Sequence, residues 1–143
     1  MTGKDDEAPV IAFVEGRAGI IRLNRPAALN ALNIEMVDAA LRALATFETD
    51  IEVELVLLEG AGGRAFCAGG DIRFVAASAR AGDGQAEEFW RREYALVLAL
   101  ARSAKPVVAL MDAIVMGGGA GLGIHVRHLS LIHISEPTRP LYI

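Results

Sequence analysis

Apolar and polar positions along this chain follow two different periods, and the places where the period changes mark its elements. Val10 to Val14 and Gly19 to Leu23 are short apolar runs separated by Glu15-Gly16-Arg17-Ala18, which predicts a β-hairpin. Asn24-Arg25-Pro26 ends it. Ile34, Val37, Leu41, Leu44 and Ala45 then recur at helical spacing on one face, with Asn33 as the N-cap. Val53 to Leu58 is nearly continuous in apolar residues, the pattern of a strand buried on both faces of a parallel sheet. Ala61-Gly62-Gly63-Arg64 is a turn, and Ala79 to Gly84 breaks the helical pattern as a mobile loop. A helix from about Gln85 to Ser103 carries a broad stripe of Phe89, Trp90, Leu96, Val97 and Leu100 and stops before Pro106, where proline cannot continue it. Val107 to Met111 is a further strand. The order β-β-α and then β-α predicts a layered α/β fold.

Two glycine clusters interrupt this pattern, Phe66-Cys67-Ala68-Gly69-Gly70-Asp71 and Val115-Met116-Gly117-Gly118-Gly119-Ala120-Gly121. Each follows an apolar strand and opens into a helix-compatible stretch. Two readings stand at this point. The glycines are ordinary turn residues, or Gly70 and Gly118 present backbone N–H donors that face one point and hold a developing oxyanion. Asp71 reads as a helix cap, and Cys67 as a small buried hydrophobe. Glu93 lies in the charge run Arg91-Arg92-Glu93-Tyr94, for which solvation is the ordinary explanation. His125 and His128 are three apart on a possible helix but lack companion ligands, and read as surface residues. Arg22, Arg25 and Arg73 would meet a phosphate or remain solvated.

The 143 residues suit one domain or part of a larger one, and 53% hydrophobic content is ample for a core. A formal charge of -4 argues against a nucleic-acid surface and for a small-molecule partner. The single cysteine excludes an internal disulfide framework and fits a reducing compartment. Three scattered histidines, at 125, 128 and 133, do not build a metal site with it. Met1 to Pro9 is polar and acidic, so neither a signal peptide nor a membrane anchor is expected, and the cytoplasm is the default location.

The last fifteen residues depart from the rest. Leu129 to Ile143 carries two prolines and no sustained period, and Leu129 to Arg139 resembles the translation of a transposase adaptor used in sequencing libraries. The expectation is a native segment over 1–128, followed by a non-native tail over 129–143; the alternative is an irregular C-terminal strand.

Asn24-Arg25-Pro26 with Ala28-Leu29-Asn30-Ala31-Leu32, then Ala65 to Ile72, then Met116-Gly117-Gly118-Gly119 resemble the crotonase (enoyl-CoA hydratase/isomerase) superfamily over Ile20 to Arg127. The resemblance implies a crotonase-type spiral of β-β-α units, truncated here, that binds an acyl-CoA thioester. It places the thioester oxygen on the Gly70 and Gly118 N–H groups and the coenzyme A side along Arg25, Ala28 and Leu29 and along Ala68, Gly69 and Asp71. It implies no metal and no redox cofactor, since coenzyme A is part of the substrate. Within the superfamily the motifs are similar to the 3-hydroxyisobutyryl-CoA hydrolase branch, which works in valine degradation and in which Glu93 would contact the acyl group. Gly121 stands where a hydratase carries its glutamate, which favours hydrolysis.

Two departures qualify this. Ala27 replaces a lysine common near the coenzyme A, and Leu141 occupies the position of the first acid/base carboxylate, the second lying past the chain. Glu136, the nearby carboxylate, sits in the segment that does not match. The expectation is therefore the N-terminal part of an acyl-CoA hydrolase, inactive by itself. The alternatives are an enoyl-CoA hydratase or isomerase, or a non-catalytic acyl-CoA-binding remnant. A homo-oligomer of the full-length protein stays open.

Overall fold

The computed structural model describes residues 7–117, 119, 122 and 128–130. Strands β1 (Val10–Glu15) and β2 (Ala18–Leu23) form the expected hairpin, antiparallel with Val10 opposite Leu23 and Glu15 opposite Ala18. A short 3₁₀ turn, Pro26–Ala28, leads to helix α1 (Ile34–Thr49). The Asn33 side chain accepts from the Met36 N–H, as an N-cap does. Next come β3 (Leu55–Gly60), β4 (Ala65–Cys67), α2 (Ile72–Ala81), α3 (Gln85–Ala101), β5 (Val107–Leu110), β6 (Ile114–Val115) and β7 (His128–Ser130). The main sheet has the order β1-β2-β3-β5-β7, parallel from β2 onward, while β4 and β6 form a separate parallel pair.

Helix α1 buries Met36, Val37, Ala40, Ala43, Leu44 and Phe47, the larger of which contribute about 1.5–3 kcal/mol each. The face is rotated from the expected one: Leu41 is half-buried and Ala45 is exposed. Burying Phe47 and Met36 removes more apolar area than burying an alanine, which sets the rotation. Strand β3 alternates, with Val56 and Leu58 buried and Leu55 and Leu57 only partly so; the two-sided burial expected for it is incomplete. The loop predicted over Ala79 to Gly84 is shorter, since α2 continues through Ala81 and stops at Gly82. Nor is it loose: Asp83 accepts from Ser78 Oγ and the Gln85 N–H, while Ser78 Oγ accepts from the Ala86 N–H. Helix α3 ends at Ala101 rather than Ser103. His128 lies in a strand, not on a helix, and that strand takes in Leu129 and Ser130, the first residues of the stretch set apart as a tail. Residues 131–143, with Leu141 and Glu136, and also His125, Gly118 and Gly121, lie outside the described residues.

Candidate functional site

The site is built where two loops run side by side. The Leu32 N–H donates to the Gly69 carbonyl at 2.7 Å, the Asp71 N–H to the Leu32 carbonyl at 2.8 Å and the Ala68 N–H to the Leu29 carbonyl at 3.0 Å. In this parallel bridge Gly70 turns its own N–H away from Leu32, and that N–H makes no hydrogen bond among the described residues. Gly69 sits at φ 94°, a backbone conformation that side chains resist.

Asn30 locks the pair of loops, and sequence reasoning passed over it except as part of a motif. It is fully buried at φ 56°, and its Oδ1 accepts from the Arg25 N–H at 2.8 Å. Its Nδ2 donates to the Ala61 carbonyl at 3.0 Å and the Ala65 carbonyl at 2.9 Å. One amide therefore ties the segment after β2 to the turn that leads into β4. The signal available in the sequence was that asparagine is among the few non-glycine residues that tolerate left-handed backbone.

Beside this pairing lies a cavity of about 270 Å³, lined by Arg25, Ala28, Ala31, Ala68, Gly70, Asp71, Ile72 and Arg73. Of the residues expected on the coenzyme A side, Arg25, Ala28, Ala68 and Asp71 line it, while Leu29 and Gly69 support its wall through the backbone bonds above. The Arg25 guanidinium donates to the Ala31 carbonyl at 2.7 Å and pairs with Asp71 at 3.2 Å. Asp71 is the N-cap of α2 and accepts from the Arg73 and Phe74 N–H groups. Burial pushes its carboxyl up, but these bonds and the Arg25 charge outweigh that and hold it below the usual carboxylate range. Arg73 is exposed and makes no ion pair among the described residues, so its charge is open to an anion. Arg22 is elsewhere: it pairs with Glu59 across β2 and β3 at 2.8 Å and stacks over Phe13.

The second glycine turn meets the first. Strand β6 pairs Val115 with Cys67, and the Met116 N–H donates to the Cys67 carbonyl at 3.1 Å. A side chain at Gly119 would collide with that same carbonyl, so glycine is required there by close approach. Gly117 lies beside Gly69, a Cβ built on it falling 4.0 Å from the Gly69 Cα. Cys67 is fully buried, and desolvation, which outweighs a bond from the Gly69 N–H, pushes its thiol up to about 12; the nearby Glu93 charge acts in the same direction. A thiol so held is inert as a nucleophile.

Glu93 is not the solvated charge its neighbours suggested. It faces inward from α3 with Phe89, Leu96 and Leu100, is 6% exposed, and its Oε1 has no hydrogen-bond partner among the described residues. Burial raises its carboxyl above the usual range. Arg91 and Arg92 do not reach it, because both pair with Glu88, and Arg92 also bridges to Asp38 on α1 at 2.6 Å. A buried carboxyl with no hydrogen-bond partner among the described residues, on the helix whose Phe89 and Trp90 pack against Gly70, and an open Gly70 N–H together suit a ligand bearing both a polar hydrogen and an acceptor oxygen.

The enoyl-CoA hydratase/isomerase family model matches residues 18–130. The chain is 53% identical over 124 residues to a mitochondrial 3-hydroxyisobutyryl-CoA hydrolase from Xenopus tropicalis, covering 87% of this chain and 32% of that protein. It is 44% identical over 121 residues to the mitochondrial 3-hydroxyisobutyryl-CoA hydrolase from Homo sapiens, covering 85% of this chain and 31% of that one. Among solved structures it is similar to a carnitinyl-CoA dehydratase from Mycobacterium thermoresistibile, at TM-score 0.80 and 45% identity over 87% of this chain and 36% of the other. An enoyl-CoA hydratase from Rhodobacter sphaeroides 2.4.1 matches at TM-score 0.79 and 48% identity, over 85% and 36% of the two chains. The fold is thus the expected crotonase-type α/β fold, and the chain spans about a third of the length of the relatives it matches. The cytoplasmic expectation is corrected, because these hydrolases are named as mitochondrial and point to mitochondria instead. A reduced cysteine fits any reducing compartment, so it had no power to choose between the two.

Proposed function

The chain belongs to the enoyl-CoA hydratase/isomerase family, and from that premise we propose that it is the thioester-holding part of an acyl-CoA hydrolase acting on 3-hydroxyisobutyryl-CoA, an intermediate of valine degradation. The observation that carries the proposal is the open Gly70 N–H, poised where the second glycine turn packs against the first. In this reading Gly70 and Gly118 donate to the thioester oxygen and stabilise the charge that develops on it during attack. Gly118, outside the described residues, is taken from the motif alone.

The cavity between Arg25 and Arg73 takes the coenzyme A side, with Arg73, whose charge has no ion-pair partner among the described residues, offered to a phosphate. Glu93, whose buried Oε1 has no hydrogen-bond partner among the described residues, receives the hydroxyl of the acyl group, so binding satisfies that oxygen. Activation of water falls to carboxylates beyond the described residues, and Cys67, neutral and buried, takes no part. Hydration of an enoyl-CoA is the competing reading, favoured by the names of the similar solved structures. Gly121, where a hydratase carries a glutamate, argues against it.

The test is release of free thiol from 3-hydroxyisobutyryl-CoA by the full-length protein that carries this segment. Thiol release that falls about 10²-fold or more in Gly118→Pro supports the proposal. Efficient hydration of crotonyl-CoA without thiol release overturns it. The chain as given should bind acyl-CoA but release no thiol at an enzymatic rate.

A further inference from the structure

We infer that Trp90 is the wall of the acyl pocket and selects short acyl groups, an inference that rests on the acyl-CoA reading of the same site. A Cβ built on Gly70 would lie 3.0 Å from Phe89 Cε1 and 3.4 Å from Trp90 Cη2, so the indole edge abuts the backbone whose N–H is open. The ring is braced from behind. Trp90 meets Phe89 edge-on at 5.1 Å between centroids, and Phe89 meets Phe74 in the same way at 6.1 Å. Phe89 is fully buried, yet Trp90 remains 45% exposed. A large aromatic ring that is held on one side and open on the other is available to a ligand.

Direction follows from the cavity. Gly70 lines it together with the two arginines, but no α3 residue does, so the cavity and α3 approach Gly70 from different sides. A thioester whose oxygen sits on the Gly70 N–H and whose coenzyme A runs past Arg25 and Arg73 must direct its acyl half toward α3. There Trp90 and Glu93 lie one helical turn apart. The carboxyl meets a polar substituent of the acyl group, and the indole bounds the space beside Gly70 in which that group lies. A short, branched hydroxyacyl group fits between them, whereas a long straight chain runs into the ring.

Trp90 is the sole tryptophan of the chain, so its emission reports on this contact alone. Titration with isobutyryl-CoA, decanoyl-CoA and free coenzyme A, with binding measured by calorimetry and indole emission read in parallel, tests the inference. Isobutyryl-CoA is expected to shift the emission to the blue, while free coenzyme A binds and leaves it unchanged. In Trp90→Ala the affinity ratio of decanoyl-CoA to isobutyryl-CoA should rise about tenfold. Trp90→Phe should restore the original ratio, and Leu98→Ala, exposed further along the same helix, should leave it untouched. If isobutyryl-CoA binds without an emission shift and Trp90→Ala keeps the ratio, the wall is refuted while the acyl-CoA site stands. If no acyl-CoA produces binding heat, the reading of the site fails and takes this inference with it.

Discussion

Replacing Glu93 should make the chain more stable, and by an amount that depends on pH. Glu93 lies on the buried face of α3 with Oε1 unsatisfied among the described residues. An unsatisfied buried polar group costs about 1–3 kcal/mol, and a charged one more. Glu93→Met keeps the length of the side chain and removes both the charge and the unsatisfied Oε1, so it should stabilise by about 2 kcal/mol near neutral pH. Glu93→Gln removes only the charge and should gain about 1 kcal/mol, worth roughly 4 °C in Tm for a chain of this size. The sign with pH follows from linkage. The folded-state carboxyl lies above its unfolded value, so the folded state holds the proton more tightly and stability falls as pH rises through that interval. Below the ordinary glutamate value of about 4.3 the group is neutral in both states, and the advantage of Glu93→Gln should vanish. Urea melts of wild type and both variants at about pH 8 and about pH 4 measure this. A Glu93→Gln protein that is less stable than wild type at the higher pH, or a gain identical at both, would refute the picture of an uncompensated buried carboxyl. A group held at a cost to the fold marks a site kept for a ligand, so the same variants should lose affinity for a 3-hydroxyacyl-CoA while a plain acyl-CoA is less affected.

Three further outcomes follow from the packing. Gly119→Ala forces a methyl group into the Cys67 carbonyl, and should cost about 1–3 kcal/mol in a thermal melt and weaken acyl-CoA binding by separating the two turns. Asn30→Gly retains the backbone conformation but leaves the Arg25 N–H and the Ala61 and Ala65 carbonyls without their partner; a loss of about 2 kcal/mol or more is expected, and a melt unchanged from wild type would show that the lock is not needed. Asp71→Asn keeps a capping oxygen but removes the negative charge at the start of α2 and the ion pair with Arg25, and should lose about 0.5–1 kcal/mol near neutral pH. Because the folded-state carboxyl of Asp71 is depressed, its contribution is present above the unfolded value and is lost as pH falls through the folded one; acid titration of the variant should lack that slope.

Local chemistry determined much of this protein. The hairpin over Val10 to Leu23, the Asn33 cap, the Asp71 cap and the end of α3 before Pro106 depend on residues within a few positions of one another, and all were legible without a structure. The paired glycine motifs were legible for the same reason. Long-range contacts decided the rest. Strand β4 is three residues long and exists because β6 pairs with it, so no period in the sequence could announce it. The face of α1 rotated because Phe47 and Met36 had partners that the spacing of Ala45 could not reveal. Glu93 shows the limit most clearly. Its spacing from Phe89, Leu96 and Leu100 puts it on the inner face, but its charge and its arginine neighbours argued for solvent. Only the folded chain, in which Arg92 turns to Asp38 and Arg91 to Glu88, leaves that carboxyl buried with its Oε1 unsatisfied among the described residues. Burial is a property of everything packed around a residue, and the sequence near Glu93 does not contain it.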